Sequence, residues 1–310
     1  LIEQIERGNA PVYEHKGSAE DVVVSKNEKE SIGRQFYKHL MNGVSHMLPF
    51  VIGGGILIAI AFLLDDYSID PANFGMNTPQ ASFFKTVGGV AFDFMLPVLA
   101  GYIAYSIADR PGLAVGLVAG LIAKMGSTFA NPAGGDVNAG FLGALFAGFA
   151  GGYLVLGLKK LFSKLPKSLE GIKPVLLYPV IGIFLAAVVT TFINPYMGMI
   201  NDGLTHFLNG MGGTSRVVLG MILGGMMSID MGGPFNKAAY VFATGMLSTG
   251  TDASYMIMAA VMIGGMVPPI AIALSTTFNK NRWTAEERKN GTVNYIMGLS
   301  FITEGAIPYA

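Results

Sequence analysis

The chain has 310 residues, 52% of them hydrophobic and only 13% charged, with 20 basic and 20 acidic side chains. This balance offers no basic surface for nucleic acid, and the lack of cysteine excludes disulfides, thiolate metal sites and a cysteine phospho-carrier within these residues. With so much apolar sequence and so little charge, the expected solvent is the lipid bilayer.

In chain order, residues 1–38 are polar and charged. They read as a cytoplasmic linker that ends in a short amphipathic helix, Ser31 to Leu40, whose Arg34 and Lys38, with Lys29 just before it, suit a membrane surface. The opening Leu1-Ile2-Glu3-Gln4 lacks an initiator Met, and Ala310 closes a polar motif rather than a helix. The chain is therefore expected to be a piece of a longer one. From Val44 onward apolar spans alternate with short polar connections. Five of them, near 44–64, 86–108, 137–158, 174–199 and 253–279, reach the roughly 20 residues that cross a bilayer core. Four shorter segments, near 111–123, 217–229, 238–251 and 291–303, fall below that length and carry Gly or Pro breaks, the mark of discontinuous or re-entrant helices. The predicted fold class is an all-α integral membrane protein, a multi-span helical bundle with discontinuous or re-entrant helices.

Orientation follows from the basic residues. Lys159, Lys160, Lys164, Lys167 and Lys173 crowd one connection, and Lys280, Arg282, Arg288 and Lys289 another, so both are predicted to be cytoplasmic. The 65–85 connection, with Asp65, Asp66 and Asp70, falls on the far side. Parity then requires 111–123 to cross, giving an outer loop near Asn131–Asp136, and requires 217–229 and 238–251 to enter and return as a pair.

Two polar clusters interrupt the apolar sequence. One is Ser228-Ile229-Asp230-Met231-Gly232-Gly233-Pro234-Phe235-Asn236-Lys237; the other is Phe301-Ile302-Thr303-Glu304-Gly305-Ala306-Ile307-Pro308. A charge in hydrocarbon costs roughly 2.5–3.5 kcal/mol, so such residues face a cavity or a partner. Backbone freed by Gly and Pro is tolerated at depth only where protein or a water-filled site satisfies it. Together they predict a polar-substrate site in a transporter. Four scattered histidines (His15, His39, His46, His206) have no metal-ligand spacing, and no nucleotide fingerprint stands in suitable context, so neither metal nor cofactor is expected.

The ordered motifs Gly43-Val44-Ser45-His46-Met47-Leu48-Pro49-Phe50, Pro97–Ala104, Ile107–Leu113, Gly224-Gly225-Met226-Met227, Asp230–Tyr240, Gly265–Pro269 and Ile302–Pro308 cover nearly everything from residue 40 onward. In them the chain resembles the membrane-embedded IIC component of the bacterial phosphoenolpyruvate-dependent sugar phosphotransferase system, fructose family. The resemblance implies a multi-pass protein of the bacterial inner membrane, working as a homodimer. It would bind a sugar, fructose by default, and pass it to phosphorylation by a phosphocysteine of a IIB domain, with fructose 1-phosphate as product. It also implies that residues 1–38 follow an absent IIB domain and that the IIC domain, 39–310, continues past Ala310.

Among candidate site residues, Glu304 matches the acidic residue of the family's Ile-Thr-Glu motif, which resembles the sugar-binding glutamate of related IIC proteins. A carboxylate can accept a sugar hydroxyl and act as general base, or it can pair with a neighbouring helix. His46 lies in the family's Ser-His-Met-Leu-Pro motif and can both donate and accept, though an interfacial role competes. Asp230 and Lys237 either line the site or neutralise each other across the turn, whereas Asn236 suits a neutral sugar. Thr303 accompanies Glu304 in its motif. Asp93 lines the same cavity or contacts a helix. Asp109-Arg110-Pro111-Gly112 reads as a cytoplasmic turn, His206 with Asp202 and Asn209 as a solvated loop, and the span aromatics as packing. The glycines Gly140, Gly143, Gly148, Gly151 and Gly152 are expected to pack helices closely, either in a homodimer built through the first spans or equally within one protomer. An alternative reading is a proton- or sodium-coupled carrier, which would also hold carboxylates near broken helices.

Overall fold

The computed structural model describes residues 31–135, 137–166, 170–210, 213–247 and 250–309. Most of the expected linker, together with Asp136 and Lys167, lies outside them. Every regular element among the described residues is helical, and five helices are long and apolar enough to cross a membrane, as the hydropathy pattern predicts. The chain's contacts divide it between Lys38 and His39.

Helix α1, Ile32–Leu64, is continuous. The separate amphipathic helix expected over Ser31–Leu40 is the first part of this one helix, because the Met41-Asn42-Gly43 link carries no proline and a single glycine does not end a helix. After α1 the chain turns through 65–78, where the Asp65 carboxylate gathers the backbone N–H groups of Gly75, Asn77 and Thr78.

Helix α2, Pro79–Met125, reverses on itself. Ala108 (φ −130°, ψ 18°) and Asp109 (φ 56°, ψ −152°) leave helical geometry. In a straight helix Ala100 and Gly116 would stand about 24 Å apart. Here a methyl group on Gly116 would fall 2.6 Å from the Ala100 carbonyl oxygen, and one on Gly112 would collide with that of Ala104. The Ala-Asp-Arg-Pro-Gly sequence thus makes a tight hairpin, as expected of its helix-breaking residues, and the 110–125 arm runs back beside the first. An Asp93–Lys124 ion pair of 2.7 Å joins the two arms, which is the helix-contact role for Asp93.

Helix α3, Gly140–Leu161, packs against this hairpin through its glycines. Methyl groups on Gly148 and Gly152 would lie 2.8 Å from the Ala100 oxygen and from Ile107 respectively. That face is used within the protomer, the second of the two uses expected for these glycines. Lys159 at the end of α3 reaches Asp109 at 3.1 Å, which puts the α2 reversal and the lysine-rich connection on one face.

A π-helical turn, Lys173–Leu177, leads into α4, Tyr178–Gly210. This helix runs well past the predicted end at 199, and it places Asp202 and His206 on a helix rather than in a loop. Met199, Ile200, Leu204 and Phe207 continue the helical apolar spacing there, which carries the helix on. Helices α5 (Gly213–Ile229) and α6 (Pro234–Leu247) form a pair joined by residues 230–233. Helix α7, Asp252–Phe278, opens with a Thr251–Ser254 capping box and crosses α5 so closely that a methyl on Gly264 would collide with Gly224. The predicted 291–303 segment is broken instead into α8 (Ala285–Gly291), α9 (Val293–Leu299) and a 3-10 turn, Thr303–Tyr309, with Phe301 at φ 60° between the last two.

Candidate functional site

The two polar clusters meet. The turn between α5 and α6 needs a left-handed residue, supplied by Gly232 at φ 76°. The Glu304 side chain lies across that glycine: a methyl there would come within 2.9 Å of Glu304 Cγ and 3.0 Å of Oε1. Glycine is therefore favoured by its backbone angle, and a side chain there would push the Glu304 carboxylate aside. Beside this contact is a cavity of about 220 Å³ lined by Ser45, Asn236, Lys237, Tyr240, Thr303 and Glu304 among apolar neighbours.

Each polar group has a distinct position. Asn236 is buried and donates its amide N–H to the Met227 carbonyl at 2.9 Å, tying α6 to the end of α5. The residue also lines the cavity. Thr303 is buried at the start of the 3-10 turn. Among the described residues, Lys237 and Glu304 line the cavity without an ion pair between them, and Lys237 makes none with Asp230. Asp230 lies outside the cavity lining; its Oδ2 accepts the Phe235 N–H at 2.7 Å, a carboxylate at the amino end of α6 where the helix dipole favours it. Tyr240 one turn and Thr244 two turns beyond Asn236 bury hydroxyls that make no hydrogen bond of good geometry among the described residues.

Four of the six expected residues, Asn236, Lys237, Thr303 and Glu304, are thus brought together. His46 is not among them. Its Nδ1 is 2.8 Å from the Asn42 carbonyl oxygen and its ring stacks on Tyr102 at 3.8 Å. Successive helix residues are rotated by about 100°, so Ser45 faces the cavity while His46 faces α2. Sequence reasoning overlooked Ser45, Tyr240 and Phe301. The signal for Tyr240 was its spacing of four and three residues from Asn236 and Lys237, which puts it on their helix face.

Chemically the cavity offers one anion, one cation and several neutral donors and acceptors, a set that suits an uncharged polyol better than a charged substrate. The fold and this site define a class: a helical membrane protein with a small polar cavity where broken backbone segments meet. Residues 41–310 match the model of the phosphotransferase system EIIC family, and the chain belongs to that family. Over its whole length it is 46% identical to the fructose-specific EIIABC component of Bacillus subtilis, covering 48% of that protein. It is 50% identical over 88% of its length to the fructose-specific EIIB'BC component of Xanthomonas campestris, covering 45% of it, and 46% identical over 79% to the fructose permease IIC component of Bacillus amyloliquefaciens, covering 76%. The chain spans about half the length of the first two. No solved structure matches it significantly.

Proposed function

We propose that the chain is the membrane permease of a fructose phosphotransferase system, binding fructose and presenting it to a phosphorylated IIB domain, in the bacterial inner membrane. The observation that carries this reading is the meeting of Gly232 and Glu304, which gathers Asn236, Lys237, Thr303 and Glu304 around one small cavity. At about 220 Å³ the cavity lies below the roughly 300–1,000 Å³ typical of drug-sized ligands, which favours a monosaccharide. The names of the relatives add fructose.

In the proposed reaction the C1 hydroxyl of fructose attacks the phosphorus of the IIB phosphocysteine. A P–O bond forms, the P–S bond breaks and the thiolate leaves. Glu304 takes the hydroxyl proton as general base. Lys237 offsets negative charge on the transferring group, while Asn236 and Thr303 hold the neighbouring hydroxyls. The product is fructose 1-phosphate. Asp230 acts through the turn it holds, and His46 through its stack on Tyr102.

The test supplies purified phospho-IIB and labelled fructose to membranes containing the chain. Group translocation yields labelled fructose 1-phosphate. Labelled but unmodified fructose inside the vesicles identifies a gradient-driven carrier instead.

A further inference from the structure

Two cavities follow one another along α1. The site cavity touches this helix at Val44, Ser45, Leu48 and Ile52; a second, of about 350 Å³, touches it at Val51, Ile52, Gly55, Ile56 and Ala59. Their centres are offset by some seven residues, or about 10 Å of helix. The second cavity lies toward the 65–78 connection and is walled mainly by Phe92, Leu247 and three methionines of α7, Met258, Met262 and Met266. Three residues border both: Ile52, Tyr240 and Phe301.

The Tyr240 and Phe301 rings lie 5.7 Å apart, tilted by 34°, across this boundary. Both are carried by the segments that build the site. Tyr240 stands one turn from Asn236 on α6, and Phe301 stands three residues before Glu304, on the link between α9 and the 3-10 turn. Phe301 holds φ 60°, a left-handed conformation that a residue with a side chain adopts only where its surroundings impose it. The imposing neighbour is α7, where the Phe301 ring lies so close to Gly265 that a methyl there would collide with it. A strained joint that carries an aromatic ring, next to the residue expected to hold substrate, can couple ring position to substrate.

We propose that Tyr240 and Phe301 form an aromatic septum between the sugar site and a second, entry chamber that opens toward the 65–78 connection. The inference rests on the reading of the polar cavity as the sugar site. The entry chamber is apolar and offers a monosaccharide few hydrogen bonds, so it passes the sugar rather than holding it. Passage requires the two rings to part, and the sugar's contacts with Thr303 and Glu304 bias the Phe301 joint.

The experiment uses single cysteines in a background otherwise free of reactive thiols, probed in sealed vesicles with an impermeant, cationic thiosulfonate applied from the face that carries the 65–78 connection. Ile56→Cys reports the entry chamber and Leu48→Cys the site chamber. With the septum intact, Ile56→Cys reacts and Leu48→Cys is protected. Phe301→Ala removes one ring and speeds modification of Leu48→Cys roughly tenfold, leaving Ile56→Cys unchanged. Tyr240→Phe keeps the ring and leaves both rates unchanged. Phe301→Leu gives an intermediate rate and decides the matter should the alanine variant fail to insert. Equal Leu48→Cys rates with and without the Phe301 ring overturn the septum, as does an unreactive Ile56→Cys. Phosphorylation of labelled fructose by phospho-IIB, measured with Phe301 and Tyr240 intact, tests the sugar site separately, so the two readings can fail independently.

Discussion

Glu304 lies across a glycine that cannot be replaced without displacing it, so the carboxylate is positioned by backbone rather than by a partner charge. Glu304→Gln keeps the shape and can still bond a hydroxyl. Fructose affinity is expected to fall by about 1–2 kcal/mol for the lost charged hydrogen bond, whereas phosphoryl transfer falls by roughly 10²–10⁴-fold when the base is removed. Binding and single-turnover transfer, measured at matched membrane levels, separate the two; an unmodified transfer rate would make Glu304 a structural carboxylate. Asp65 is the contrasting case, a carboxylate committed to structure. Partial burial works against its charge, but the N–H groups of Asn77, Gly75 and Thr78 and the Thr78 hydroxyl outweigh that and hold its carboxyl below the ordinary value of 3.8. The sign follows from the lowered value: the contribution is fully present above pH 3.8 and is lost as pH falls from there through the lowered value. Amide exchange at Gly75, Asn77 and Thr78 is expected to be slow at neutral pH, to quicken only in that acid window, and to be fast at neutral pH in Asp65→Asn. Exchange that quickens already near pH 6 would assign the loop's order to another group. At this scale the sequence was readable where a polar residue stands out against apolar neighbours, as Asn236, Lys237, Thr303 and Glu304 do. It was unreadable at His46, because a motif marks a stretch of helix and only the helix phase decides whether Ser45 or His46 faces the cavity.

Elements here are set by close backbone approach more than by side-chain volume. The two arms of α2 meet through Gly112, Gly116 and Gly120, and α3 meets them through Gly148 and Gly152. Such packing lets weak forces act over many short contacts in a solvent that does not drive apolar surfaces together. Gly116→Val places a branched side chain where a methyl already falls 2.6 Å from the Ala100 oxygen. Overpacking of this kind costs about 1–3 kcal/mol, so the variant is expected to unfold in detergent at a lower temperature. Gly89→Val, where a methyl would meet nothing within 4 Å, should leave that temperature unchanged. Equal melting of both would refute glycine-mediated packing of the hairpin. The five long spans were legible because an apolar run long enough to cross a bilayer seldom arises in a chain that folds in water. The reversal at Ala108–Asp109 was legible because Asp-Arg-Pro-Gly breaks a helix in any solvent. The end of α4 was misplaced because polar residues such as Asn201 and Asp202 suggest a loop, whereas the apolar positions between them keep helical spacing. The aromatic pair Tyr240–Phe301 was invisible: nothing local distinguishes those two rings from the many others that simply pack.

At the scale of the whole molecule, the ion pair between Asp109 and Lys159 puts two polar reversals on one face, and the basic residues of the 159–173 connection lead us to expect that face in the cytoplasm. The cysteine-free sequence allows a direct check with single substitutions at two exposed positions. Ile69→Cys is expected to react with an impermeant thiol reagent on intact cells and Lys164→Cys only after the cells are opened; the reverse pattern would invert the topology. Association is the remaining question. Over their apolar windows α2 and α3 are 56% buried, but α1 is only 22% and α4 only 17% buried. The glycine face of α3 is already occupied within the protomer, so a dimer must use another surface. The outward faces of α1 and α4 are the available ones, with rows such as Phe184, Val188 and Phe192 on α4. Lipid covers an apolar face as readily as protein does, so shape complementarity must decide between them. We therefore expect a homodimer to be retained in mild detergent and to be weakened by bulky polar substitution on α1 or α4, for example Phe184→Gln or Leu63→Gln, with Phe129→Gln on the 126–139 loop as a neutral control. Mass measurement across a range of protein concentrations provides the check. A monomer at every concentration would rule the dimer out, while a dimer insensitive to both helix substitutions would move its interface to a surface other than α1 and α4.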